Sequence, residues 1–279
     1  MWPAFLRTPS PSWPSSNSLN SASCNPPSTG FPAGGRCALR LEVRAKRFGG
    51  REVIRGLSLA AAPGEFLALV GPSGCGKTTA LNIAAGLDRD FDGTLDFGTS
   101  GFDGPEPVLG YVFQTPRLLP WRTVRQNVAL VLPRERRSDG TVERWLAAMG
   151  LETVADEYPA RLSGGMARRV ALARAFAVEP GLLLMDEPFV SLDEPTAQRM
   201  RSLLSAMLDR CPATVLFVTH NLREAIQLAD RILVMAPGPT RVAAEVPLET
   251  PRALRDDALV ERVRAELLAR PDPAFRLLA

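Results

Sequence analysis

Lysine is almost absent from this chain. Of 33 basic side chains only Lys46 and Lys77 are lysine, and the other 31 are arginine. Histidine occurs once, at His220. Cysteine is sparse as well. Cys24, Cys37, Cys75 and Cys211 form no C-x-x-C pair, so they read as free thiols of a reducing compartment. No stretch approaches the roughly 18–20 apolar residues that cross a bilayer, so any role at a membrane requires a partner. An excess of one charge is missing too. The formal net charge is +3, too small to argue for nucleic acid, and no nucleic-acid partner is expected. What remains is 279 residues, 46% of them hydrophobic, enough for one large domain or two small ones with a real core.

Residues 1–37 hold Pro3, Pro9, Pro11, Pro14, Pro26, Pro27 and Pro32 among many Ser and Asn. Such a stretch cannot build a core, and it has no continuous apolar run of the signal-peptide kind. It is expected to be a low-complexity, disordered extension, or the result of a start codon set too far upstream. Order is expected from Ala38.

The most informative stretch is Gly71-Pro72-Ser73-Gly74-Cys75-Gly76-Lys77-Thr78-Thr79. It follows the apolar run Phe66-Leu67-Ala68-Leu69-Val70 and precedes Ala80-Leu81-Asn82-Ile83, the order of a buried strand, a glycine-rich turn and a helix start. The turn fits G-x-x-x-x-G-K-[ST], a loop that cradles phosphate. Glycines let several backbone N–H groups converge on one anion, and the helix adds its N-terminal positive end. Lys77 is expected to reach the β- and γ-phosphates of a nucleotide, and Thr78 to ligate Mg²⁺. A compact ammonium fits inside such a loop more easily than a planar guanidinium, which explains a lysine in an arginine-rich chain.

The rest of the chain alternates strands with helices. Leu39, Leu41 and Val43 alternate with charged residues, and Val53 to Leu59 reads as a second strand. Thr94 to Phe97, Val108 to Phe113, Leu182 to Met185, Thr214 to Val218, Arg231 to Met235 and Val242 to Val246 read as further strands. Gly98 to Pro107 reads as loop. Helices are expected after Thr123, carrying Val124, Val128 and Val131, and over 141–149, after Ser163, and from about Pro195 to Leu208. The segment 115–165 is expected to be a helical subdomain inserted in the α/β core. Residues 251–279 are expected to form a C-terminal helical tail. The pattern predicts an α/β phosphate-loop core with a mainly parallel sheet and an antiparallel edge.

Several polar residues close predicted strands. Asp186 ends the apolar run 182–185, where an acid of this kind helps hold Mg²⁺ in phosphate-loop ATPases. Glu187 follows and points elsewhere, towards an attacking water. His220 ends another strand, at the sheet edge where ligands bind in open α/β folds, and is placed to meet the γ-phosphate. Gln114 ends a third and offers both donor and acceptor to Mg²⁺ or water. Ser163-Gly164-Gly165 opens a helix and makes a second anion-binding pattern. One chain thus carries two phosphate-type sites and one lysine-bearing loop. Two copies facing each other resolve this, with each nucleotide between Lys77 of one and Ser163 of the other. Phe48 offers a ring to stack on adenine.

Together these residues resemble the ATP-binding cassette (ABC) family, over roughly 38–250. Gly71–Thr78 looks like Walker A and Gln114 like the Q-loop. Leu162–Gly165 looks like the signature, and Leu182–Asp186 like Walker B. Glu187 resembles the catalytic glutamate, Ser191–Asp193 the D-loop and His220 the switch histidine, all in the family's order. Phe48 stands where the family often has tyrosine, and Met166 where many members have glutamine.

The resemblance implies an ATPase that uses ATP and Mg²⁺ and works as a head-to-tail homodimer or paired subunit. It implies Glu187 as general base, with Lys77, Gln114 and His220 beside it, and Asp193 next to the nucleotide. It also implies transmembrane permease subunits docked near Gln114, an extracytoplasmic solute-binding protein met only indirectly, and a peripheral position on the cytoplasmic face of the inner membrane. Val112-Phe113-Gln114, Leu118-Leu119-Pro120-Trp121 and Met235-Ala236-Pro237-Gly238-Pro239 are similar to importers of nitrate, sulfonate and taurine. An exporter subunit, a subunit for another cargo and a soluble ABC ATPase of DNA repair or translation are the alternatives. The short interval from Thr79 to Ser163 and the single Lys77 loop weigh against the last.

Overall fold

The computed structural model describes residues 38–98 and 107–278. The extension expected over 1–37 lies outside the described residues, as does most of the loop expected over 98–107.

Uninterrupted apolar runs make the central strands. β3 (Phe66–Val70), β6 (Leu182–Asp186), β7 (Thr214–Thr219) and β8 (Arg231–Ala236) are buried at every residue, as strands covered on both faces must be. With β5 (Leu109–Val112) and β9 (Arg241–Pro247) they form a six-stranded sheet in the order β5-β6-β7-β3-β8-β9. All its pairings are parallel except β8 with β9. Successive residues serve opposite faces. Phe66, Ala68 and Val70 join one apolar cluster, whereas Leu67 and Leu69 join the other.

The alternating stretch makes a separate antiparallel sheet. β1 (Leu39–Phe48) lies between β2 (Arg51–Ala61) and β4 (Asp92–Asp96). Its inner residues Leu39, Leu41 and Val43 are buried while Arg40, Glu42 and Arg44 are exposed. Helix α1 (Lys77–Ala84) shares one apolar cluster with this sheet and with Leu182, Leu184, Leu216 and Val218 of the six-stranded sheet. The two sheets are also joined where the Thr240 N–H donates to the Val53 carbonyl at 2.8 Å.

The opposite face of the large sheet is covered by helices. α2 (Val124–Ala129), α3 (Thr141–Ala148) and α4 (Gly164–Ala177) pack on one another. Thr123 starts α2 through a capping box with Gln126. Val142, Leu146 and Met149 are buried, and Trp145 stacks on Phe176 of α4 with ring centroids 5.5 Å apart. α5 (Glu194–Arg210), α6 (Leu222–Leu228) and α7 (Asp257–Leu268) complete the layer. Val260 and Leu267 of α7 enter the shared core, and Arg223 of α6 bonds Asp257 and Glu261 at 2.8 and 2.7 Å.

Two expectations need correction. Val131 is not on the apolar face of α2. The helix stops at Ala129, and Val131 is exposed. The stretch 222–228, expected as neither strand nor helix, forms α6, with Leu222, Ala225 and Ile226 at helical spacing behind an Asn221 cap.

Candidate active site

Three parallel neighbours, β6, β7 and β3, end on one edge of the sheet, and most of the predicted site grows from those ends. After β3 the loop 71–76 leads into α1. Gly71 and Gly76 are required by close packing. A Cβ on Gly71 would stand 2.6 Å from the Met235 carbonyl oxygen. Gly76 has φ +97°, and a Cβ there would collide with the Thr240 hydroxyl. Gly71→Ala is therefore expected to cost about 1–3 kcal/mol, as overpacking does, read as a lower Tm and weaker nucleotide binding. An unchanged Tm would mean that β8 gives way freely.

Pro72, Ser73 and Gly74 form the outer part of the loop, and Cys75 is buried beneath it. Burial pushes the Cys75 thiol up despite the neighbouring ammonium, so it stays neutral and packed. Lys77 is 4% exposed. Its ammonium donates to the Gly71 and Pro72 carbonyls at 2.8 and 2.9 Å and stands 4.0 Å from Glu187 Oε1.

The Thr78 hydroxyl donates to Asp186 Oδ1 at 3.1 Å, and Thr79 follows it in α1. Burial pushes the Asp186 carboxyl up, against the Thr78 hydrogen bond. A divalent cation would reverse that penalty. The pair offers two hard oxygen donors, which suits Mg²⁺, an ion that takes one or two protein oxygens and fills the rest with water and phosphate. Among the described residues no group of three His, Cys, Asp or Glu could hold a metal by itself.

Glu187 is set apart from Asp186 by its backbone. Its φ is +42°, rare for a residue with a side chain, and its N–H donates to the Val218 carbonyl at 2.9 Å. Its carboxylate reaches His220 Nδ1 at 3.1 Å. An ionised carboxylate only accepts, so Nδ1 carries the hydrogen. A cleft of about 150 Å³ opens here, lined by Glu187, Ser191, Thr219, His220, Asn221 and Glu224 among others.

The remaining predicted residues lie elsewhere on the chain. Ser163 caps α4, accepting the Met166 N–H at 3.2 Å, with Gly164 and Gly165 as the first helical residues. Asp193 caps α5 and accepts the Thr196 N–H at 3.1 Å. These two helix starts are neighbours, since a Cβ on Gly165 would lie 3.2 Å from the Thr196 methyl. Among the described residues no hydrogen bond joins Ser163 to Lys77, Thr78 or Asp186. Gln114 is exposed, two residues past β5, beside a stack in which the Phe113 ring lies 4.0 Å from Tyr111 and 4.1 Å from the Arg117 guanidinium. Phe48 ends β1 with half of its surface exposed.

The family model described as ABC transporter matches residues 54–190. An aliphatic sulfonates import ATP-binding protein, SsuB 1 of Pseudomonas aeruginosa, is 46% identical over 82% of this chain and 97% of that protein. The chain belongs to the ABC transporter family of ATP-binding subunits. Another such relative, SsuB 2 of Burkholderia lata, is 44% identical over 82% of this chain and 85% of its own. Among solved structures, the dimeric post-hydrolysis state of the ATP-binding cassette MJ0796 bound to ADP and Pi is 30% identical. It has a TM-score of 0.64 and covers 76% of this chain and all of that chain. As an ABC ATPase the protein binds and hydrolyses ATP. Two residues near the ABC site escaped the sequence reading. Glu224 lines the cleft from α6, accepts the Thr219 hydroxyl at 2.7 Å and has its carboxyl pushed up by burial. Lys46 packs under Phe48.

Proposed function

We propose that this chain is the ATPase subunit of an importer of aliphatic sulfonates. The observation that carries the reading is the similarity to proteins named for that import, along 82% of this chain. Of the other cargoes the sequence pointed to, taurine is itself an aliphatic sulfonate that also carries an ammonium, and nitrate is a small oxyanion. Two copies work head to tail. In each site the Gly71–Thr79 loop holds the triphosphate, with Lys77 on its β- and γ-phosphates. Thr78, Asp186 and Gln114 hold Mg²⁺, which when bound screens the phosphate charge. Phe48 stacks on the adenine. Ser163, Gly164 and Gly165 of the other copy close over the γ-phosphate, with Asp193 beside them.

Within that enclosure Glu187 takes a proton from the attacking water as its oxygen bonds to phosphorus and the bond to ADP breaks. His220 donates from Nδ1 to the Glu187 carboxylate through the 3.1 Å contact, and its other nitrogen serves the γ-phosphate only when it too carries a hydrogen, since phosphate oxygens accept. Closure of the pair moves permease subunits docked near Gln114 and the helices over 115–165, at the cytoplasmic face of the membrane. The solute-binding protein acts through those subunits. No described helix is long and apolar enough to cross a membrane. The test is growth of a strain lacking this gene. Growth on an alkanesulfonate as sole sulfur source should fail while growth on sulfate persists. Undiminished growth on the sulfonate sinks the cargo assignment, and failure on taurine or nitrate alone reassigns it.

A further inference from the structure

Both lysines of this arginine-rich chain are enclosed by oxygens. Lys77 belongs to the phosphate loop, whereas Lys46 has no part in the chemistry described above. It lies near the end of β1 with 2% of its side chain exposed. Its ammonium donates to Asp88 Oδ1 at 2.8 Å, to the Asp90 carbonyl, and to Asp90 Oδ2 at 3.4 Å. The same ammonium stands 4.5 Å from the centroid of the Phe48 ring. The β1–β2 register slips between Lys46 and Arg47, a bulge of the sort that re-aims side chains at a strand end, and the two side chains meet there.

The acceptors matter because of where they sit. Asp88 and Asp90 lie in the turn that leaves α1. Leu87 and Asp88 both donate their N–H groups to the Asn82 carbonyl, at 2.9 and 3.2 Å, so this turn is fixed to the helix. The first residue of that helix is Lys77. Lys46 therefore connects the Phe48 ring to the element that begins at the phosphate loop. A guanidinium is a wide, flat fork, and it cannot gather three oxygens and a ring face about one point. A small ammonium with three donors can, which accounts for a lysine here among 31 arginines within 33 basic residues. Burial disfavours its charge, but the hydrogen bonds to Asp88 and Asp90 outweigh burial and hold it above the ordinary lysine range. The cation covers one face of the ring, where desolvation strengthens the attraction.

We propose that Lys46 is a positioning residue for the nucleotide base, setting the distance between the Phe48 ring and the phosphate loop by gripping the ring and the turn after α1 together. This rests on the reading of Phe48 as the adenine-stacking residue. Phe48→Ala, Lys46→Met and the double substitution, each in the full chain, test it through two ligands. One is ATP and the other is inorganic tripolyphosphate, which has no base. Each single substitution is expected to weaken ATP about tenfold, the scale of one lost stacking or cation–ring contact, and to leave tripolyphosphate binding unchanged. The double variant is expected to be no weaker than Phe48→Ala alone, since Lys46 acts through that ring.

If Phe48→Ala weakens ATP and Lys46→Met does not, the proposal is overturned and the stacking role stands. If Phe48→Ala has no effect, the stacking role fails and the proposal with it. Equal weakening of ATP and tripolyphosphate by Lys46→Met makes the lysine a general brace of the loop, which also overturns it. Should Lys46→Met not fold, Asp88→Asn removes one anchor and keeps the lysine. A loss of ATP affinity confined to ATP then supports the proposal, and no loss overturns it.

Discussion

Glu187→Gln should leave ATP bound and cut its hydrolysis about a thousandfold, within the range a general base contributes. The amide keeps the size of the side chain and its hydrogen bond to His220, 3.1 Å away in the parent, but it cannot accept a proton from water. It also removes a negative charge 4.0 Å from the Lys77 ammonium, so affinity for the triphosphate should hold or rise. With binding intact and turnover arrested, two copies should remain paired in ATP. Phosphate release and size-exclusion chromatography in ATP check both points. Hydrolysis at the parental rate means that another group takes the proton.

Ser163→Arg should reduce turnover to background while each copy binds ATP as before. The serine caps α4 through the Met166 N–H, and losing a cap costs about 1 kcal/mol, too little to unfold the protein. No hydrogen bond ties Ser163 to Lys77, Thr78 or Asp186 within one described chain. An arginine there should therefore spare a copy's own phosphate loop and block only the surface that a second copy's nucleotide must meet. Nucleotide binding at low protein concentration, beside steady-state hydrolysis, separates the two effects. Full activity contradicts a shared site, and lost binding by the isolated copy places Ser163 in its own chain's pocket.

Local pattern made much of this legible. The strands 66–70 and 182–186 announced themselves as unbroken apolar runs; Lys77 follows from the glycine-rich motif after the first of them, and Asp186 and His220 from what stands at a strand's end. The contact between Glu187 and His220 depends on β6 and β7 being neighbours, and no residue spacing states that. Short elements hid for a related reason. Helix α6 spans under two turns, too little for periodicity to separate from loop, so Glu224 went unseen. Lys46 lay hidden because its partners, Asp88 and Asp90, are more than forty residues away, and a charged residue on an alternating strand reads as a solvated one. Val131 failed in the opposite sense. Its spacing was right, but α2 ended before reaching it.

The Thr240 hydroxyl meets the carbonyls of both Val53 and Cys75, beside the glycine that admits no side chain. The loop at the foot of the phosphate site is thus braced from the antiparallel sheet and from the β8–β9 edge alike. Little freedom is left to be lost when a ligand arrives. A machine part that fills and empties over and over benefits from a mould that does not have to be recast at each stroke.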